Sequence, residues 1–440
     1  MQIDSTNLSH KRVLGVAAPI VLANATIPIL GAVDTAVVGQ LGQAAPIGAV
    51  GIGAIIITAI YWLFGFLRMG TTGLTAQAIG SGDKSETSAL LVRGLIIGFV
   101  SGVILIVFQV PLFLGALQLS PASIEVEGMA QQYLHIRVYS APAAIAIFGI
   151  TGWLIAKEKT RAVLLLQLLL NGVNIILDLL FVLHLGWGVE GVAIATLIAE
   201  WLGLIFGLWL AREGFNNGYW RNWVQIFDRS RLLKMAKVNS DIMIRSVLLQ
   251  IGIVSFLFLG SSFDDATLAA NQVLIQFLNF TAYALDGFAF TAEVLVGQAL
   301  GAKNRALFRK SAIMTSQWGV GSAVLMAFVF FVFGDNIIKL MTTAEDVRAV
   351  GHTYLPWMIL APLAGVAAWM LDGIFIGATR TTDMRNMMIV SFAVYLIALV
   401  VLLPRYGNHG LWASLIVFSI ARGVTLGLKY PSLEASTDAK

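Results

Sequence analysis

The sequence predicts an all-α integral membrane protein: twelve transmembrane helices in two six-helix lobes, related by a pseudo-twofold axis along the membrane normal. Three observations carry this. Of 440 residues, 58% are hydrophobic and only 12% charged, whereas a water-soluble surface needs about a quarter; mean hydropathy is +0.84. Twelve apolar runs are long enough to cross a hydrocarbon core of about 30 Å. The last six of them repeat the first six.

The first six runs fall near 13–36, 46–67, 90–114, 136–156, 162–183 and 189–211, and the second six near 240–260, 267–290, 312–333, 354–377, 386–403 and 409–428. They are spans 1 to 12 below. At an offset of 221 residues Gly39 falls on Gly260, Ala49 on Ala270, Tyr133 on Tyr354 and Gly152 on Gly373. The segment Gln77-Ala78-Ile79-Gly80 falls on Gln298-Ala299-Leu300-Gly301. Six spans is an even number, so both halves enter from the same side, which is the parallel kind of repeat. The organisation expected is an N-terminal lobe over 1–211, a cytoplasmic linker over 212–237 and a C-terminal lobe over 238–440. Two equivalent lobes around a central cavity suit alternating access.

Orientation follows from Lys and Arg. Loops on one side, the linker and the C-terminus included, hold 23 of them; the other side holds Arg137, Lys339, Arg348 and Arg405, and Arg245 lies within span 7. The positive-inside rule then places both termini in the cytoplasm. Met1–His10 is polar and the first apolar run is a full span rather than a cleavable signal. The expected location is therefore the bacterial cytoplasmic (inner) membrane. The pI near 9.2 comes from charges scattered between apolar runs, so nucleic acid is not the expected partner. The chain has no cysteine, which excludes disulfides, thiol catalysis and cysteine-ligated zinc. No H-E-x-x-H and no P-loop is present. An enzyme is not expected, and neither a metal nor a cofactor is called for.

An ionisable side chain inside a bilayer is costly and marks function or a structural pair. Asp34 in span 1, Asp178 in span 5 and Thr196 in span 6 all fall roughly 9–10 Å below the outer boundary at 1.5 Å per residue. Asn171, Asn174 and Asp178 share one face of span 5 by their i, i+3, i+7 spacing. Two carboxylates in low dielectric cannot both stay ionised, so this cluster outlines a proton site. Its oxygens equally suit a hard cation such as Na⁺. No basic residue is expected at that depth. Glu200, one turn past Thr196, either extends the path or pairs with a base near the inner surface.

The second lobe differs, because Ser255 stands where Asp34 would repeat. Span 8 instead carries Gln272, Gln276, Asn279, Tyr283, Asp286 and Glu293 as one polar stripe, expected to face water or substrate. Asp286, Asp372 and Arg245 reach similar inner depth, which predicts an Arg245–carboxylate pair closing a cytoplasmic gate. The alternative makes Asp286 or Asp372 a second protonation or substrate-cation site. Pro19 and Pro28 are expected to interrupt span 1.

Pro19, the exit Asp34-Thr35-Ala36-Val37-Val38-Gly39 and the paired Q-A-x-G loops resemble the multidrug and toxic compound extrusion (MATE) family. The stretches Ala284-Leu285-Asp286-Gly287-Phe288-Ala289 and Asp372–Arg380 resemble its DinF branch. The resemblance runs over essentially the whole chain. It implies antiport of drugs, dyes or other lipophilic cations, as a monomer, against H⁺ or Na⁺, with Asp34, Asn174, Asp178 and Thr196 as coupling site. Some relatives place a further acid in span 7. Here only Ser255, Gln250 and the shallow Asp241 stand as candidates, which favours proton coupling through the first lobe. The competing reading is a flippase for lipid-linked or amphipathic substrates. Their phosphates need an Arg- or Lys-lined cavity, for which Arg245 and Arg422 are the main candidates.

Overall fold

The computed structural model describes residues 8–40, 44–118 and 123–437; Lys440 of the charge tally and most of the polar start lie outside them. Among the described residues every regular element is helical, and twelve helices are long and apolar enough to cross a membrane. In the first half they are α1 (His10–Gly39), α2 (Ala45–Gly80), α3 (Lys84–Val107), α4 (Ile124–Ala156), α5 (Thr160–His184) and α6 (Gly188–Leu210). In the second they are α7 (Arg229–Gly260), α8 (Asp265–Gly301), α9 (Arg305–Met341), α10 (Glu345–Gly377), α11 (Thr381–Tyr406) and α12 (Asn408–Ala435).

Several helices run past their apolar runs and start on polar caps. Asp264 accepts from the Thr267 amide at 2.8 Å to start α8, and Asn304 accepts from the Leu307 amide at 2.9 Å to start α9. Each cap satisfies a donor that the first helical turn leaves unpaired.

Two compact units result. One holds Leu22–Thr75 and Asp83–Lys234; the other holds the chain start up to Val21, Ala76–Gly82 and everything from Met235 onward. In the first unit α3 lies against α4 along small residues. A Cβ on Gly98 would come within 2.5 Å of Ala146 Cα, and one on Gly102 within 2.2 Å of Pro142 N. Small residues let helix backbones approach where lipid supplies no hydrophobic drive. In the second unit Phe256, Phe277, Phe330, Met358, Tyr395, Trp412 and Phe418 fill a core.

The repeat appears as matched contacts. A Cβ on Gly152 would lie 2.4 Å from the Arg68 carbonyl oxygen; 221 residues on, one on Gly373 would lie 2.3 Å from that of Ala289. Gly80 and Gly301 are reciprocal, each seated on the carbonyl of the other's Q-A-x-G glutamine, Gln298 and Gln77. Left-handed turn residues pair likewise: Gly82 with Lys303, and Glu158 with Thr379.

Two expectations need correction. Pro19 does not interrupt span 1, since helix runs unbroken over His10–Ala25. That stretch is held by close packing, with Ala17 and Val21 against Gly287 of α8. The break comes at Thr26, before Pro28 in the first turn of the following helix, where the missing N–H is no loss. The linker, expected to run to 237, ends at Asp228, because Arg229 already begins α7. It is pinned by Arg93, which donates to the carbonyls of Ile226 at 2.8 Å and Gln225 at 2.6 Å.

Candidate functional site

The first unit gathers four of the predicted residues. The outer half of α1 brings Asp34, α5 brings Asn174 and Asp178, and α6 brings Thr196. The carboxyls of Asp34 and Asp178 lie within hydrogen-bonding reach of each other. Two carboxyl oxygens so placed are held together by a proton or by a cation between them, since neither ionised group can donate. With its nitrogen towards the acids, Asn174 donates to Asp34 Oδ1 at 3.3 Å and Asp178 Oδ2 at 3.2 Å, and its oxygen sits 3.0 Å from Thr196 Oγ1. In the opposite orientation the nitrogen donates to Thr196 Oγ1 at 3.0 Å and the oxygen faces the two acids, which suits a cation held between them. Asp178 and Asn174 are fully buried and Asp34 is half-buried.

Local backbone reinforces the site. Directly after Asp178 the helix widens, and Leu185 donates to the carbonyl five residues back, on Leu180, at 2.9 Å. Such π-type turns recur at functional positions. Asn171 does not join the acids. It donates to Thr26 Oγ1 at 2.9 Å and to the Thr26 carbonyl at 3.2 Å, so it fastens α5 to the break in α1.

The absence of a base at this depth is overturned. Arg137, expected in an outer loop, is buried inside α4 and is close enough to interact electrostatically with both Asp34 and Asp178. It pairs with Glu200 through both oxygens, at 3.0 and 3.2 Å, and donates to Ser140 Oγ at 2.7 Å. Glu200 therefore takes Arg137 as partner rather than a base near the inner surface. The reading failed because Gln131, Gln132 and His135 make the start of α4 look like loop. A signal was present: Ser123, which accepts from the Val126 amide, followed by Glu125 and Glu127 in the first turn, marks a helix start well before Arg137.

In the second unit the expected Arg245–carboxylate pair forms with Asp372. Arg422, counted above with the cytoplasmic bases, is buried within α12 and donates to the same Oδ2 at 2.6 Å. Helices α7, α10 and α12 are thus tied inside one unit, and Asp372 is occupied twice over. Asp241 is also committed, to Arg385 and Thr382 at 2.7 Å each. Ser255 bonds Tyr395 at 2.9 Å, while Gln250 is exposed. The α8 stripe lies off the packed face: Gln272 and Asn279 are exposed, Gln276, Tyr283 and Asp286 half-buried, and only Glu293 is fully buried. Asn279 donates to Gln276 at 3.1 Å. The opposite face of α8 holds Asn271, unforeseen from sequence, which is buried and exchanges hydrogen bonds with Asn408 at 2.8 and 3.0 Å.

A twelve-helix membrane fold with an internal repeat and a buried acid cluster in one half defines a secondary transporter. The MatE family model matches residues 19–180 and 242–402, one copy per half. The chain belongs to the MATE family: it is a multi-pass membrane transporter of small molecules and not an enzyme. It is 38% identical over 427 residues to DNA damage-inducible protein F of Escherichia coli K12, covering 95% of this chain and 91% of that one. It is 24% identical to Protein DETOXIFICATION 44, chloroplastic, of Arabidopsis thaliana, over 93% and 80% of the two chains. Among solved structures it superposes on the Vibrio cholerae MATE transporter VcmN in the bent form with TM-score 0.85, at 22% identity and 98% coverage of both. A MOP superfamily transporter from Pyrococcus furiosus gives 0.83 at 17% identity, with 97% and 96% covered.

Proposed function

We propose that this chain is a monomeric proton-coupled multidrug exporter of the DinF branch. It lies in a bacterial inner membrane with both termini cytoplasmic, and it exchanges lipophilic or cationic organic compounds for H⁺. The observation that carries the reading is the approach of Asp34 to Asp178, two carboxyls within hydrogen-bonding reach of each other that a single proton can join, with Asn174 and Thr196 beside them. Proton coupling is favoured over Na⁺ by the second unit, where span 7 offers only Ser255, Gln250 and an Asp241 already committed to Arg385 and Thr382. Alternating exposure of the pair to acidic and neutral sides would load and release the proton while the substrate moves the other way. The orientation is supported by the Lys/Arg asymmetry, which survives the removal of Arg137 and Arg422 from the loops.

A flippase for phosphate-bearing lipids draws no support from the second unit, because Arg245 and Arg422 are both held by Asp372. The test is dye-cation efflux from proteoliposomes under separately imposed pH and Na⁺ gradients. Efflux driven by the pH gradient and lost in Asp34→Asn is expected. Efflux driven by Na⁺ alone would replace the ion, and none under either gradient would turn attention to the flippase.

A further inference from the structure

We propose that Arg137 is the ion-selectivity residue of the coupling site: a permanent positive charge clamped beside Asp34 and Asp178 that keeps sodium out and leaves the site to protons. The inference rests on the proton-coupling reading above and explains what in this chain enforces it.

Arg137 cannot move away or lose its charge. A guanidinium does not deprotonate in proteins, and this one is fixed by the two-pronged contact to Glu200 and by Ser140. Its Cζ stands 5.9 Å over the Tyr61 ring, and the Tyr133 hydroxyl is within hydrogen-bonding reach. The Tyr61 hydroxyl lies 3.1 Å from the Arg137 carbonyl. Glu200 follows Thr196 by one turn on α6, so the ion pair sits about 6 Å along the helix from the Asn174–Thr196 contact. The charged and titratable groups facing the acids are therefore Arg137 and Tyr133 from α4, Tyr61 from α2 and Glu200 from α6.

The guanidinium repels a proton and a sodium ion alike, but the two start from different affinities. Its Coulomb penalty falls on any cation entering the site, offset in part by the Glu200 carboxylate. A proton is bound covalently by a carboxyl and absorbs that loss. Sodium held only by a few oxygens in place of its water has no such reserve.

The experiment is the pH profile of dye efflux in proteoliposomes with sodium present or replaced by potassium. In the wild type the profile should ignore sodium. The paired variant Arg137→Met with Glu200→Gln removes both charges, so no lone buried charge remains. Its midpoint should move about one pH unit alkaline, and sodium should now compete, pulling it back towards acid. Glu200→Gln alone strips the counter-charge and should move the midpoint the opposite way, to acid, which a merely structural role would not do. A sodium-sensitive wild type, or a folded paired variant with the wild-type profile, overturns the proposal. If the paired variant does not fold, the sign of the Glu200→Gln shift decides, and an alkaline or absent shift overturns it. Absence of any pH-driven efflux in the wild type is the distinct outcome in which the proton reading fails and the inference falls with it.

Discussion

Asp34 and Asp178 differ from Arg137 and Glu200 in what their neighbours demand. In the proposed coupling the acids share one proton, so replacing either by Asn keeps a hydrogen-bonding group of the same size and removes only the titration. Asp34→Asn and Asp178→Asn should each reduce coupled efflux to background while thermal unfolding in detergent moves by a few degrees at most. Full activity in both variants would remove the site assignment. Arg137→Met alone should instead cost about 1–3 kcal/mol, because the half-buried Glu200 loses a two-pronged partner. Outside the membrane spans, the Thr267 amide and then its hydroxyl hold Asp264 below its ordinary value near 3.8. A carboxylate lowered in the folded state contributes above its unfolded value and loses that contribution as pH falls through the folded one. The amide hydrogens in the first turn of α8 should therefore lose protection, relative to their intrinsic exchange rates, below about pH 4, and Asp264→Ala should show the same loosening at neutral pH.

At the scale of the element, hydropathy located every span, and each of the twelve apolar runs became a helix of the membrane fold. It did not locate helix ends. Asp265–Gly301 is far longer than the apolar run inside it, because Asp264 caps one end and Gln298–Gly301 packs at the other. Apolarity reports where lipid is, whereas hydrogen bonding and close contact decide where helix stops. Pro28 was legible as a break, but the continuity through Pro19 depends on Gly287 of another helix and was not. The matched glycines give a test that spans both halves. Gly152→Ala and Gly373→Ala each drive a methyl into a backbone carbonyl that cannot rotate aside, so each should cost about 1–3 kcal/mol. Thermal stability measured on the two variants should fall in parallel. A neutral result in one alone would mean that the two contacts are not equivalent.

For the molecule as a whole, the scaffold repeats and the chemistry does not. The repeat was readable because it is written in residues that permit backbone contact, such as Gly152 and Gly373, which tolerate nothing larger. The acid cluster was readable because Asp34, Asn174 and Asp178 are polar where lipid is expected. Arg137 and Arg422 were misplaced for the converse reason: each buried base is satisfied by an acid distant in sequence, Glu200 or Asp372, and no local pattern reveals the match. Among the described residues of the second unit, Asp372 already bears two guanidiniums and Asp241 is held by Arg385. Asp372→Asn should be strongly destabilising, by about 3–5 kcal/mol, since Arg245 and Arg422 would then face each other with no anion between them. Replacing the three together by apolar residues of similar volume, Arg245→Met, Asp372→Leu and Arg422→Met, should recover most of that loss. In that stable variant the decisive quantity is the number of protons exchanged per dye molecule, obtained from the substrate gradient that just balances an imposed pH gradient. An unchanged ratio is expected if all coupling resides at Asp34 and Asp178. A ratio lowered by one proton would make Asp372 a second carrier and the two arginines its release partners rather than its structural ties.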